Sequence, residues 1–174
     1  MSVRQLVGAG LILALAAAGC SGGDDDDDRA QPTTTRFPPT VPVNNEQLSE
    51  GQGVCGFVNS GEVSTAVGTP VNSGTGTRTK TGESCRWTLR SNTSLFVSII
   101  LDPAGRQAFD RFRTAASRSA ENLGGVGDQA FVANDTAYAL KGDRLVILKV
   151  ATTQPDAARK QAATRLVTTA AARL

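Results

Sequence analysis

Cys85-Arg86-Trp87-Thr88-Leu89, followed after a short polar step by Leu95-Phe96-Val97-Ser98-Ile99-Ile100-Leu101, decides the fold. In the first segment Cys85, Trp87 and Leu89 alternate with polar residues, the period-two pattern of a strand with one apolar face. The second is apolar on both faces and reads as a central strand. Asn92-Thr93-Ser94 between them supplies turn residues, so the two segments predict a hairpin. Asp102-Pro103 then closes the pair as a helix start, a cap residue followed by proline at the first helical position.

Downstream, Ala104, Ala108, Phe109, Phe112, Ala115 and Ala116 form an apolar stripe at helical spacing, with Arg106, Arg111, Arg113 and Arg118 mostly on the remaining faces. Gly124-Gly125-Val126-Gly127 breaks this helix. Strands follow over Asp128–Val132, Thr136–Leu140 and Arg144–Ala151. The last two are joined by Lys141-Gly142-Asp143-Arg144, whose glycine suits the first central position of a type II′ turn. Gln154-Pro155-Asp156 opens a final helix in which Ala158, Ala162, Leu166, Ala170 and Leu174 recur every four residues. Upstream, Asn59 or Ser60 caps a short helix, Gly61 to Val67, with Glu62 in its first turn. Gly68-Thr69-Pro70 ends it.

Residues 71–84 lack an apolar period and read as a mobile loop. Gly74-Thr75-Gly76 within them is not a phosphate cradle, because no strand precedes it and no Lys-Ser/Thr ending follows. Hairpins with helices inserted between them predict an α+β domain over residues 48–174. It should have an antiparallel sheet of about five strands, helices packed on one face and one disulfide.

The N-terminus has its own logic. Arg4 precedes an uncharged apolar run, Leu6 to Ala18, shorter than the roughly 20 residues needed to span a bilayer. Ala17-Ala18-Gly19-Cys20 then places small residues before a cysteine. Residues 1–19 therefore read as a lipoprotein signal peptide, similar to a bacterial lipobox with Ala17 where leucine is usual. Fatty acyl chains such as palmitate on Cys20 would tether the mature chain to the cell membrane on its extracytoplasmic side, since two or more chains anchor stably. Residues 20–47 carry Asp24 to Asp28, four of the chain's seven prolines and little apolar bulk, the composition of a disordered linker. An unbroken aspartate run lacks the spaced ligands of a calcium loop. The Thr/Pro segment after it could carry O-linked sugars.

With Cys20 taken by lipid, Cys55 and Cys85 are left as an even pair in an exported chain and read as one structural disulfide. With no CxxC motif and no histidine, the sequence indicates no metal set and no cofactor. The absence of histidine also excludes a Ser-His-Asp mechanism within this chain. Two carboxylates could in principle serve a hydrolase of envelope polymers. Glu62, Glu83, Asp102, Asp110, Asp128 and Asp135 each have a simpler reading as cap, turn or surface residue. From Leu48 onward fifteen Lys and Arg face ten Asp and Glu, scattered except for the arginines of the second helix. Aromatic residues are few and not interleaved with them, which argues against nucleic acid as a partner.

Cys55-Gly56-Phe57, Glu83-Ser84-Cys85-Arg86-Trp87 and Gly127-Asp128-Gln129-Ala130-Phe131, together with the lipobox, give the chain a family likeness. It resembles the small actinobacterial lipoproteins grouped as domain of unknown function 3558. The resemblance implies a cell-envelope protein with a Cys55–Cys85 disulfide. It also implies a sheet similar to PsbP-like domains and to extracellular sensor domains of mycobacterial kinases. It brings no catalytic residues. The function expected is a non-catalytic binding or accessory module for an envelope protein, glycan or lipid. The alternative is a carrier or sensor holding a small apolar ligand near Phe109, Phe112 and Phe131. Loop 71–84 and the arginine face of the second helix are the surfaces singled out for binding.

Overall fold

The structure, a computed structural model, describes residues 45–174. The signal peptide, Cys20, the aspartate run and the linker as far as residue 44 lie outside the described residues. Strands β1 (Glu46–Ser49), β2 (Thr75–Thr79), β3 (Gly82–Leu89), β4 (Asn92–Asp102), β5 (Glu121–Asn122), β6 (Gln129–Ala133), β7 (Thr136–Lys141) and β8 (Arg144–Ala151) form one sheet. Its order is β1-β2-β3-β4-β8-β7-β6-β5, and each strand is antiparallel to its neighbours. The helices are α1 (Ser60–Val67), α2 (Gly105–Ala115) and α3 (Asp156–Ala172).

The α+β class and the antiparallel sheet are as expected, but the sheet has eight strands rather than about five. The five expected strands correspond to β3, β4, β6, β7 and β8. The other three are short, and two of them, β1 and β5, are the sheet's edges. β2 falls inside the stretch expected to be a loop. Its sequence Thr-Gly-Thr-Arg-Thr has no large apolar residue, so its strand character rests on β-branched threonines and on pairing with β3. The remainder of the supposed loop is also tied down. Val71 is buried and bridges Leu89, and the Asn72 amide donates to the Thr88 carbonyl at 2.8 Å.

The helices occupy both faces of the sheet, not one. α3 packs on β6, β7 and β8 with α1 beside it, closing a core that includes Trp87, Val97, Ile99, Val146, Leu148, Val150, Leu166 and Val167. α2 lies on the opposite face, where Ala108 and Phe109 meet Phe131, Ala133, Leu140 and Leu145. β8 is thus buried on both sides over Leu145–Leu148, because its odd residues meet α2 and its even residues meet the α3 side.

Local chemistry explains the boundaries. At the start of α1 the Glu62 amide donates to Asn59 Oδ1 and the Asn59 amide to Glu62 Oε2, both at 2.9 Å, a reciprocal cap. Gly68 ends the helix in the left-handed region. The start expected for α2 at Asp102-Pro103 is displaced. Asp102 Oδ1 accepts the Ala104 amide at 2.7 Å, a local turn, and the helix follows from Gly105 at φ +46°. A Cβ at Gly105 would lie 2.0 Å from the Asp143 carbonyl oxygen, so only glycine lets α2 enter this close to the β7–β8 turn. The hairpin turn expected at Asn92–Ser94 sits at Arg90-Ser91 instead. Asn92–Ser94 belong to β4, where the register shifts beside Thr88 and Leu89. In the β7–β8 turn Gly142 has φ +58° and Asp143 does not share that sign, as a II′ turn requires.

Cys55 and Cys85 form the expected disulfide, with Cα atoms 5.2 Å apart. It joins the short 3-10 turn Gly53–Gly56 to β3. Gly76 pairs with Cys85 in register, and a Cβ there would lie 2.0 Å from the Ser84 carbonyl oxygen and 3.0 Å from Cys55 Sγ. A Cβ at Gly74 would lie 2.5 Å from the indole nitrogen of Trp87. Gly74, just before β2, and Gly76 within it make room for the ring and the bridge on β3.

Replacing Gly76→Ala is therefore expected to cost about 2 kcal/mol or more, the range of overpacking against backbone. Thr77→Ala, on the other face of the same strand, should stay within about 0.5 kcal/mol. Urea unfolding of the two variants checks this, and equal midpoints would refute it.

Candidate functional site

α2 covers only half of its face. The register rows Arg86–Ser98–Lys149 and Ser84–Ile100–Ile147 run across β3, β4 and β8 on that side, extended on β2 by Thr75 beside Arg86 and Thr77 beside Ser84. Ile147 is half-buried against the α2 cluster, whereas Ile100, its partner on β4, is 42% exposed. In the Ile100–Ile147 row the helical cover ends between those two strands, and farther along β8 it ends before Lys149, which is exposed. Beyond it lies an open platform carrying Thr75, Thr77, Ser84, Arg86, Thr88, Phe96, Ser98, Ile100 and Lys149.

This platform has a defined electrostatic character. Arg86 and Lys149 are exposed, and neither belongs to any of the ion pairs among the described residues. They flank Ser98 in one row, so at about 4.8 Å per strand their Cα atoms lie roughly 10 Å apart. The Arg86 guanidinium sits 3.6 Å over the Phe96 ring, which orients its donors instead of leaving it a free tail. Thr77 and Ser84 hydroxyls lie 3.3 Å apart. Among the described residues the acidic residue on the platform's own strands is Asp102 at the end of β4, which accepts the Ala104 amide, and beyond Lys149 the row continues to Thr136 on β7, whose hydroxyl donates to Asp135. The result is a surface of hydroxyls with two exposed cations, one of them, Arg86, oriented by an aromatic ring.

The other candidate residues have local roles. Glu83 accepts the Val54 amide at 2.8 Å and Arg78 Nε at 2.6 Å, tying the turn that carries Cys55 to β3. Glu62 caps α1 and receives both terminal nitrogens of Arg173. Asp128 accepts the Gly142 amide, and Asp135 accepts the Thr136 hydroxyl and faces Arg159. Asp110 is exposed on α2. These carboxylates cap and brace separate elements rather than converging on one cleft, and among the described residues no group of three or more His, Cys, Asp or Glu could hold a metal. Phe109 and Phe131 are buried edge-to-face at 5.2 Å, and Tyr138 stacks on Phe131 at 4.4 Å and contacts Phe112 at 5.3 Å. These rings pack on one another beneath α2. On the arginine face Arg106, Arg111 and Arg118 are exposed, while Arg113 lies over Phe131 and donates to Asn122 Oδ1.

Sequence reading passed over Arg86, Ser98 and Lys149. Ser98 and Lys149 interrupt otherwise apolar strands and Arg86 sits at the polar parity of β3, which is a visible signal, but their meeting depends on β4 pairing with β8. No protein-family model, no curated protein and no solved structure matches the chain. No helix among the described residues is long and apolar enough to cross a membrane.

Three carboxylates make stability depend on pH. The Ser60 amide, helped by Gly74, holds Glu50 below the ordinary range, and the Arg173 guanidinium does the same for Glu62. At Glu83 burial pushes upward, but the bonds from Arg78 and Val54 and the nearby Arg78 and Arg144 charges outweigh it, so this group too is lowered. A carboxyl lowered on folding stabilises fully above its unfolded pKa of about 4.3, and the contribution disappears as pH falls through the folded value. Urea midpoints should be level from pH 7 to about 5 and fall below about 4, with a shallower acid slope in Glu83→Gln. A midpoint that rises on acidification would contradict this.

Proposed function

We infer that this chain is a lipid-anchored, non-catalytic binding module of the cell envelope, tethered through acylated Cys20 and presenting the open half of its sheet to a ligand. The observation that carries the binding reading is the platform itself. Among the described residues one α-helix covers β6, β7 and the first half of β8 and leaves β2, β3, β4 and the Lys149 end of β8 bare on that side, with Arg86 and Lys149 in none of the ion pairs. An uncovered sheet half is a surface a domain of this size could have closed by lengthening one helix, and its hydroxyls and two cations are the groups a polar ligand would meet.

The anchor rests on the run from Arg4 to Cys20, and the Asp/Pro/Thr-rich segment after it would serve as the spacer. The Cys55–Cys85 bridge agrees with an exported chain. The resemblance to the small actinobacterial lipoproteins points the same way. In this arrangement the folded domain supplies recognition and the tether supplies location.

In a bacterial host that processes lipoproteins, the protein should fractionate with membranes, and its mature N-terminus should begin at Cys20 with a mass increment of fatty acyl groups. Cys20→Ala should leave the leader attached or release the chain from the membrane. Mass spectrometry of the wild-type protein showing an unacylated Cys20 would overturn the placement.

A further inference from the structure

Resting on the platform read above as the ligand surface, we propose that its occupant is an anionic glycan chain, with one acidic group of the polymer held by the Arg86–Ser98–Lys149 row.

Charge selects the ligand's sign. Arg86 and Lys149 are the charged side chains of the open rows, neither is ion-paired among the described residues, and the carboxylate of Asp102 stands four residues along β4 from Ser98, about 13 Å away. A sulfate, phosphate or carboxylate lying over Ser98 meets a cation on either side and a hydroxyl beneath it. Arg86, held over the Phe96 ring, presents its donors to that position at a small entropy cost.

The rest of the surface selects the polymer's class. Thr75, Thr77, Ser84, Thr88 and Ser98 offer hydroxyls that both donate and accept, the complement of a hydroxyl-rich chain. Ile100 is the one large hydrophobic residue exposed among the described residues, and Phe96 is half-buried under Arg86. That is too little apolar area for the desolvated centre of a stable protein interface. Shape separates a polymer from a lipid surface. α2 packs on the same face beside the open rows, and a helix is about 10 Å across. The cation row is therefore recessed beside a wall. A flat bilayer resting on α2 stays off it, whereas a single extended chain can lie along the step.

The test compares dextran sulfate with neutral dextran of the same length, titrated against the full-length chain and followed by calorimetry and by backbone amide shifts. Dextran sulfate should bind, weaken as salt rises, and shift Arg86, Ser98 and Lys149. Neutral dextran should not bind. The double variant Arg86→Ala/Lys149→Ala should lose about tenfold or more in affinity, while Arg106→Ala/Arg111→Ala, the same loss of charge on α2, should change it less than about twofold. All four side chains are exposed, so each variant should stay folded, the Arg86 variant melting only slightly lower with the loss of its contact to Phe96, which separates lost binding from lost folding.

Equal effects of the two double variants would show diffuse charge attraction and overturn the proposed site. Binding of phosphatidylglycerol vesicles through Arg86 and Lys149, with no response to dextran sulfate, would overturn the glycan class while leaving the platform as the ligand surface. Amide shifts confined to other faces for every probe would overturn both.

Discussion

Everything on the β1–β4 side of the molecule depends on how much can be fitted over β2. Trp87 and the Cys55–Cys85 bridge both project from the β3 side into space that β2 would otherwise fill with side chains. Gly74 and Gly76 leave that space open at the two positions where a Cβ would collide. Indole, disulfide and glycine strand form one packed unit, which the bridge closes across 30 residues of separation. On the chain-entropy account such a loop contributes roughly 3–4 kcal/mol by restricting the unfolded chain. With β2 in place β1 has an edge to pair with, and the platform has its outer margin.

The glycines show why part of the fold was not legible in advance. Gly74-Thr75-Gly76 looked like loop composition, because strands are recognised by what they bury, and β2 buries what β3 lends it. β1 and β5 are too short to show a period, and their pairing is decided by neighbours far along the chain. β3, β4, β6, β7 and β8 each carry enough alternating or continuous apolar residues to declare themselves locally. The distribution of helices over the two faces lay just within reach. Leu145-Val146-Ile147-Leu148 is apolar at both parities, which requires cover on both sides, and α2 with α3 provides it.

The disulfide was readable from cysteine arithmetic, whereas the platform needed the register. Arg86 and Lys149 are separated by about half of the domain in sequence and become neighbours across Ser98 because β8 returns to pair with β4, not β3. Nothing in the composition near either residue announces that meeting. The arginines of α2, which did stand out as a cluster, are arranged around a helix whose inward stripe holds the second core.

The position of the bridge also shapes how the fold answers a mechanical load. Tension applied ahead of Glu46 would first strip β1 from its pairing with β2, a strand of four residues held along one edge. Within a few further residues the force arrives at Cys55 and passes covalently to Cys85 in the interior of the sheet, sparing α1 and β2 from being drawn out in turn. Cleavage or stretching of the chain before the domain can thus fray its margin while the recessed rows keep their alignment.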